Sequence, residues 1–205
     1  MIDEKIHNII FDFGGVIINI DYEVTIEAFK KLGIDNFEVL YSQASQSNLF
    51  DDIETGKISP QYFINGLLEL LPSGISPNKV VHAWNAMLLD IPKDRIELLK
   101  KLSAKYRIFL LSNTNSIHID KALRTWKKVS KTPIESVFET IYFSHIVGMR
   151  KPNIEIFDYV CEQHKLNKRE TLFIDDSIQH IEGAEKSGLH TVHLTGGLDI
   201  QDIFS

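Results

Sequence analysis

Residues 8–18, NIIFDFGGVII, form an apolar run that is interrupted by a single acid, Asp12, and followed by the glycine pair Gly14 and Gly15. A buried strand that ends at an acid and turns on glycines places the carboxylate at the carboxyl edge of a sheet. Open α/β sheets bind their ligands at that edge, and glycines permit the tight turn. The stretch therefore predicts a first core strand with Asp12 in a position suited to a nucleophile.

The second half of the chain alternates β-like and helical runs, which is typical of βαβ units and a parallel sheet. Residues 7–13 supply one strand, and four more are predicted in YRIFLLS (106–112), ETIYFSH (139–145), ETLFIDD (170–176) and HTVHL (190–194). Helices are expected over 90–102, 153–164 and 177–188, the last one ending at Gly188 as a C-cap. This pattern predicts an α/β fold with a Rossmann-like parallel sheet.

Residues 20–89 show successive helical patterns and no convincing strand. Ser59-Pro60 and Ser76-Pro77 each place an N-cap serine before a first-turn proline. The apolar faces that follow comprise Phe63, Leu67, Leu70, Val80, Val81, Trp84 and Leu88. We expect residues 1–19 and 90–205 to form the α/β core, and residues 20–89 to form an α-helical cap over the sheet edge.

Composition narrows the class of protein. The 205 residues are 43% hydrophobic and 24% charged, which suits a globular fold, and the net charge of −6 argues against a dedicated nucleic-acid binder. No apolar run approaches the length of a membrane span, and the segment MIDEKIH lacks the features of a signal peptide. We therefore expect a cytoplasmic protein that binds neither nucleic acid nor membrane.

Polar groups cluster at the predicted carboxyl ends of the strands. They are Asp12, Ser112, Asn113, Asp175 and Asp176, with Lys151 in a loop before a helix. Carboxylate oxygens are the ligands that Mg²⁺ prefers, and Ser112 and Lys151 could hold the outer oxygens of a phosphoryl group. Taken singly, each residue also has a structural interpretation as a turn, loop or helix-N-terminal residue.

The chain resembles the haloacid dehalogenase (HAD) superfamily, in the subgroup with a helical cap between the first and second motifs. It carries the four motif groups in the superfamily's order: Asp12, Ser112, Lys151 and the acid pair Asp175 and Asp176. The resemblance covers nearly the whole chain. It implies that Asp12 is the nucleophile that forms an aspartyl-phosphate, that Ser112 and Lys151 are catalytic and bind substrate together with Asn113, and that Mg²⁺ is held by Asp12, Asp175, Asp176 and the Gly14 carbonyl. The cap segment LFDDIETGKIS (49–59) also resembles this subgroup, without an assigned chemistry.

The chain departs from the superfamily at Gly14. Most phosphatases of the superfamily carry there a second Asp, which protonates the leaving oxygen and then activates water; such catalysis is typically worth ~10²–10⁴ in rate. Three answers stay open. The substrate could have a good leaving group, such as an anomeric, acyl or aryl phosphate; a cap residue or water could replace the acid, with Asp21, Glu54 and the histidines as candidates; or the enzyme could be weak.

The leading prediction is a Mg²⁺-dependent phosphatase for a small phosphorylated metabolite, with sugar phosphates as one class, acting as a monomer or weak dimer. The alternatives are a metal-independent dehalogenase, disfavoured by the acid pair Asp175 and Asp176, and a non-catalytic phospho-ligand-binding protein that retains the fold. His180, one helical turn after Asp176, could contact the site, through a ligand carboxylate or the nucleophile loop, or be structural. Trp84 fits a core position better than a substrate-binding one.

Overall fold

A parallel sheet forms the centre of the molecule. The computed structural model describes residues 3–34, 36 and 48–204. Within them, the strands are β1 (Asn8–Phe11), β2 (Arg107–Ser112), β3 (Thr140–Phe143), β4 (Thr171–Asp175) and β5 (His190–His193). All their pairings are parallel and the order is β3-β2-β1-β4-β5. The predicted α/β fold and all five predicted strands are confirmed.

The register of the sheet brings the ends of its central strands together. Phe11, the last residue of β1, pairs with Leu110 of β2 and Ile174 of β4. The backbone N–H of Asp12 donates to the carbonyl of Ile174 at 2.9 Å. The residues that follow β1, β2 and β4 therefore meet at one edge of the sheet.

Helices cover the sheet and its carboxyl edge. In the described residues they are α1 (Tyr22–Lys30), α2 (Leu49–Glu54), α3 (Pro60–Glu69), α4 (Pro77–Trp84), α5 (Lys93–Leu102), α6 (Ser116–Val129), α7 (Ser144–Val147), α8 (Ile154–His164), α9 (Ile178–Ser187) and α10 (Ile200–Ile203). None of them is both long and apolar enough to span a membrane.

The two faces of the sheet belong to two hydrophobic clusters, since alternate residues of a strand point to opposite sides. Ile10 packs with residues of α8 and α9 in the smaller cluster. Ile9 and Phe11 belong to the larger one, which contains residues of α5 and α6 and continues into α1–α4. The helical segment between β1 and β2 therefore shares a continuous apolar core with one face of the sheet.

The helix ends lie where the capping residues predicted them, although one capping hydrogen bond is absent and one residue of the predicted apolar faces is exposed. The Ser59 hydroxyl accepts a hydrogen bond from the N–H of Tyr62 at 3.1 Å, and Gly188 ends α9 with φ of 94°, in the left-handed region that favours glycine. Ser76 is also an N-cap residue, but its side chain makes no capping bond. The prediction that Leu70 is buried is wrong: it is the C-cap residue of α3 and is 38% exposed.

Candidate active site

The predicted strand-end residues line one cavity of about 750 Å³. Asp12, Ser112, Asn113 and Asp176 all line this cavity. Asp175 ends β4 directly behind it and is fully buried. These residues lie close together because the parallel register aligns the ends of β1, β2 and β4 at one edge of the sheet.

Lys151 links two of the carboxylates. Its Nζ atom lies 2.8 Å from Oδ1 of Asp12 and 2.6 Å from Oδ2 of Asp175, and the lysine has no exposed surface. Asn113 fixes the lysine backbone: its Oδ1 accepts from the Lys151 N–H at 2.9 Å, and its Nδ2 donates to the Lys151 carbonyl at 2.8 Å. The Asn113 amide, which lines the cavity, therefore fixes the backbone of Lys151, while Lys151 itself is fully buried and is not a lining residue.

Charge and burial compete at the three carboxylates. Burial raises the pKa of Asp12 well above its usual range, against the effect of Lys151 and reinforced by Asp175. Burial would also raise the pKa of Asp175, but Lys151 and His180 outweigh it and hold the pKa below its usual range. The pKa of Asp176 is raised by burial and by the charge of Asp175. A bound cation would favour the ionised form of all three.

The carboxylates form a group that could hold a metal ion. Single oxygens of Asp12, Asp175 and Asp176 lie within 4.8 Å of one another. Gly15, at φ of 71°, makes this approach possible, since a Cβ atom there would lie 2.0 Å from Oδ2 of Asp176. Oxygen-only donors fit Mg²⁺, which is usually bound by few carboxylates with waters completing an octahedron.

The space where a side chain at Gly14 would begin is filled by the apolar side chain of Ile20. A Cβ atom on Gly14 would lie 2.5 Å from Cδ1 of Ile20. Both residues line the cavity. No side-chain acid or base therefore stands two residues after Asp12, and the predicted role of the Gly14 carbonyl in metal binding stays a prediction.

Ser112 and His180 complete the carboxylate end of the cavity. Ser112 is 4% exposed, and its hydroxyl has no hydrogen-bond partner among the residues the structure describes. The Nδ1 atom of His180 lies 3.0 Å from both oxygens of Asp175, whose Oδ1 also accepts from the N–H of Ser177 at 2.8 Å. His180 thus contacts a candidate ligand carboxylate, one of its two predicted roles.

Much of the cavity wall is apolar, and its residues come both from the helical segment between β1 and β2 and from the rest of the chain. Trp84, 7% exposed, stacks on Phe50 at a centroid distance of 5.3 Å and on His118 at 4.9 Å. The other apolar lining residues are Phe13, Ile18, Ile20, Ile26, Met87, Leu88, Ile119 and Ala122. Trp84 is therefore a core residue, as predicted, and also a wall of the cavity.

Two charged residues at the cavity connect the helical segment between β1 and β2 to the loop that carries Lys151. Arg150, next to Lys151, pairs with Asp51 and with Glu54, whose Oε2 lies 3.1 Å from a guanidinium nitrogen. Arg150 and Glu54 both line the cavity. Arg150 had no predicted role, although MRKPN places it beside Lys151, and His118 was predicted only as one of the histidines that could replace the acid absent at Gly14.

The comparisons with known proteins agree with this geometry. The family model described as "Haloacid dehalogenase-like hydrolase" matches residues 9–194. The chain belongs to the haloacid dehalogenase-like hydrolases. A D-ribitol-5-phosphate phosphatase of Bacteroides thetaiotaomicron is 30% identical to this HAD hydrolase over 194 residues, covering 95% of this chain and 94% of the relative.

Solved structures give the same assignment. A HAD family enzyme of Bacteroides thetaiotaomicron, in complex with magnesium and inorganic phosphate, superposes with a TM-score of 0.90 and 38% identity, covering 98% of this chain and 100% of that one. A predicted HAD-like hydrolase of Porphyromonas gingivalis has a TM-score of 0.86 and 32% identity, with coverage of 98% and 97%. The HAD family and hydrolase predictions are confirmed.

Proposed function

We propose that this HAD hydrolase is a Mg²⁺-dependent phosphatase for small sugar or polyol phosphates, and that Asp12 forms an aspartyl-phosphate intermediate. The observation that carries the proposal is the arrangement around Lys151: one buried ammonium contacts Asp12 and Asp175, and Asp176 completes the oxygen group. The phosphatase and the magnesium-phosphate complex among the relatives support the same chemistry.

Each residue has a definite task in this mechanism. An oxygen of Asp12 attacks phosphorus, the ester P–O bond breaks, and water later releases phosphate from Asp12. Lys151 and the Ser112 hydroxyl donate hydrogen bonds to the non-bridging oxygens as their charge changes in the transition state. Magnesium held by Asp12, Asp175 and Asp176 would neutralise negative charge on the carboxylates and the phosphoryl group.

The two alternative functions receive less support. A metal-independent dehalogenase has no need for Asp175 and Asp176, whose charges raise the pKa of the Asp12 nucleophile. A non-catalytic binding protein has no need for a buried lysine aligned on the nucleophile. The cap boundaries at residues 20–89, the cytoplasmic location and the monomeric or weakly dimeric state remain predictions.

A substrate screen tests the proposal. D-Ribitol 5-phosphate, several sugar phosphates and p-nitrophenyl phosphate are incubated with and without Mg²⁺, and released phosphate is measured. We expect Mg²⁺-dependent hydrolysis that Asp12→Asn abolishes and that Asp158→Asn, which alters a surface pair with Lys168, leaves unchanged. Hydrolysis that persists in Asp12→Asn refutes the mechanism; chloride release from 2-chloropropionate without metal would favour the dehalogenase.

A further inference from the structure

The proposed reaction needs an acid that the Asp12 loop does not supply. In sugar and polyol phosphates that are primary-alkyl esters, the leaving group is an alkoxide, which departs slowly from phosphorus unless its oxygen is protonated. Gly14 has no side chain, and Cδ1 of Ile20 fills the space where one would begin. The acid must therefore come from another part of the cavity.

The histidines of the cavity are already engaged. His118 has Nε2 3.2 Å from the Trp84 carbonyl and Nδ1 3.3 Å from the Asn115 amide, and burial lowers its pKa to about 4. The Nδ1 atom of His180 lies 3.0 Å from both oxygens of Asp175. Both rings therefore already have protein partners at these nitrogen atoms.

Glu54 is in a different situation. Its side chain lines the cavity and is 24% exposed, while its Oε2 is buried without hydrogen-bond geometry to any described residue. Burial raises the pKa of this carboxyl, reinforced by Asp51 on the same helix and opposed by Arg150 and Lys151 from the facing loop. A carboxyl that lines a cavity and has a raised pKa can hold a proton and deliver it to a ligand there, while Arg150 holds its Oε2 atom from the other side.

The position of Glu54 relative to the core is fixed by close contact. Gly56, at φ of 70°, lies so near α7 that a Cβ atom there would be 2.1 Å from the carbonyl oxygen of His145. Arg150 pairs with both Asp51 and Glu54. The α2 turn is therefore held against the loop that carries Lys151, the same lysine that contacts Asp12.

We propose that Glu54 is the general acid and base that replaces the side chain absent at Gly14. The assignment rests on the proposed phosphatase function. As Asp12 attacks and the ester P–O bond breaks, the Glu54 carboxyl gives its proton to the leaving oxygen. The Glu54 carboxylate then takes a proton from water, the oxygen of that water attacks phosphorus, and the bond to Asp12 breaks, which returns both residues to their starting states.

Glu54→Gln and Asp52→Asn form a matched pair for the test, because both acids lie on α2 and both take part in an ion pair, Glu54 with Arg150 and Asp52 with Lys57, but only Glu54 lines the cavity. The assays use the primary-alkyl phosphate that the wild type hydrolyses fastest, and p-nitrophenyl phosphate, whose leaving group needs no proton. Rapid-mixing measurements follow the first turnover, and steady-state measurements follow phosphate release.

We expect Glu54→Gln to lower alkyl-ester hydrolysis by ~10²–10⁴, the usual contribution of a general acid or base. With p-nitrophenyl phosphate it should keep the wild-type rate of the first turnover, which shows an intact site, and then stall as phosphoenzyme. Asp52→Asn should change neither the ratio of the two hydrolysis rates nor the burst.

Three outcomes overturn the assignment: an equal loss in the two variants, a loss in Glu54→Gln that is the same for both esters with no burst, or a wild type that hydrolyses only aryl or anomeric esters. All three leave Asp12 as the nucleophile. Activity in Asp12→Asn would instead refute the phosphatase mechanism itself, so the two failures are distinguishable.

Discussion

Replacing Lys151 by methionine should strongly destabilise the fold. The ammonium lies 2.8 Å from Asp12 and 2.6 Å from Asp175, whose side chains are 9% and 0% exposed. Removing one partner from a buried ion pair leaves uncompensated charge and costs ~3–5 kcal/mol. With an m-value of about 2 kcal/mol/M, this lowers the urea midpoint by about 2 M.

The loss of unfolding free energy in Lys151→Met should depend on pH and on Mg²⁺. The pKa of Asp12 is already raised by burial in the wild type, and loss of the ammonium raises it further and brings the pKa of Asp175 above the unfolded value. The unfolded carboxyls are ionised from pH 5 to pH 8, whereas those of the folded variant retain more protons than the wild type, so the destabilisation of Lys151→Met should increase as the pH rises over this range. Mg²⁺ that binds only the folded variant should restore part of the stability.

Lys168→Met is the matched control. Lys168 lies 2.6 Å from Asp158, but the two side chains are 35% and 40% exposed, and such a surface pair is worth ~0–1 kcal/mol. Urea unfolding of both variants and the wild type at the two pH values gives the comparison. The reasoning is refuted if the two lysine variants lose similar stability, or if the loss in Lys151→Met is greater at pH 5 than at pH 8.

Two further predictions concern the glycines. Gly15→Ala should raise the Mg²⁺ concentration for half-maximal activity, because the new Cβ displaces the adjacent Asp176 carboxylate. Gly74→Ala is the control: its φ of 90° strains the backbone in the same way, but a Cβ atom there meets no other atom within 4 Å, so that concentration should stay unchanged. In the Glu54→Gln background, Gly14→Asp combined with Ile20→Ala should restore part of the alkyl-ester hydrolysis, since the Ile20 side chain no longer fills the space next to residue 14. Unchanged phosphate release would contradict this expectation.

Most of the core was predictable because its elements are set by local sequence. Apolar runs gave the five strands, and the Ser59-Pro60 pair marked the start of α3. Register then follows from parallel pairing, which is why residues distant in sequence could be expected at one edge. Leu70 was placed wrongly because the helical repeat was extended one residue beyond α3, to a C-cap position where a side chain leaves the buried face.

Contacts between distant segments were not predictable in the same way. Nothing in MRKPN shows that Arg150 meets Asp51 and Glu54, since that contact depends on how α2 packs against α7. The sequence offered Asp21 and Glu54 equally as replacement acids. The structure separates them: Asp21 caps α1 by accepting from the Glu23 N–H at 2.9 Å, whereas Glu54 lines the cavity.

The division of residues between the two sides of the cavity has a consequence for how the site works. Asp12, Lys151 and Asp175 contact one another on strand ends and an adjoining loop, so in the proposed mechanism the sheet edge would position the phosphoryl group. Glu54 reaches the cavity from α2 and is held there through Arg150. Because Arg150 is the residue before Lys151, the same short loop positions Glu54, the proposed acid, and the lysine that contacts Asp12, the proposed nucleophile. A shift of α2 would therefore alter proton transfer to the leaving group while leaving the attack of Asp12 intact.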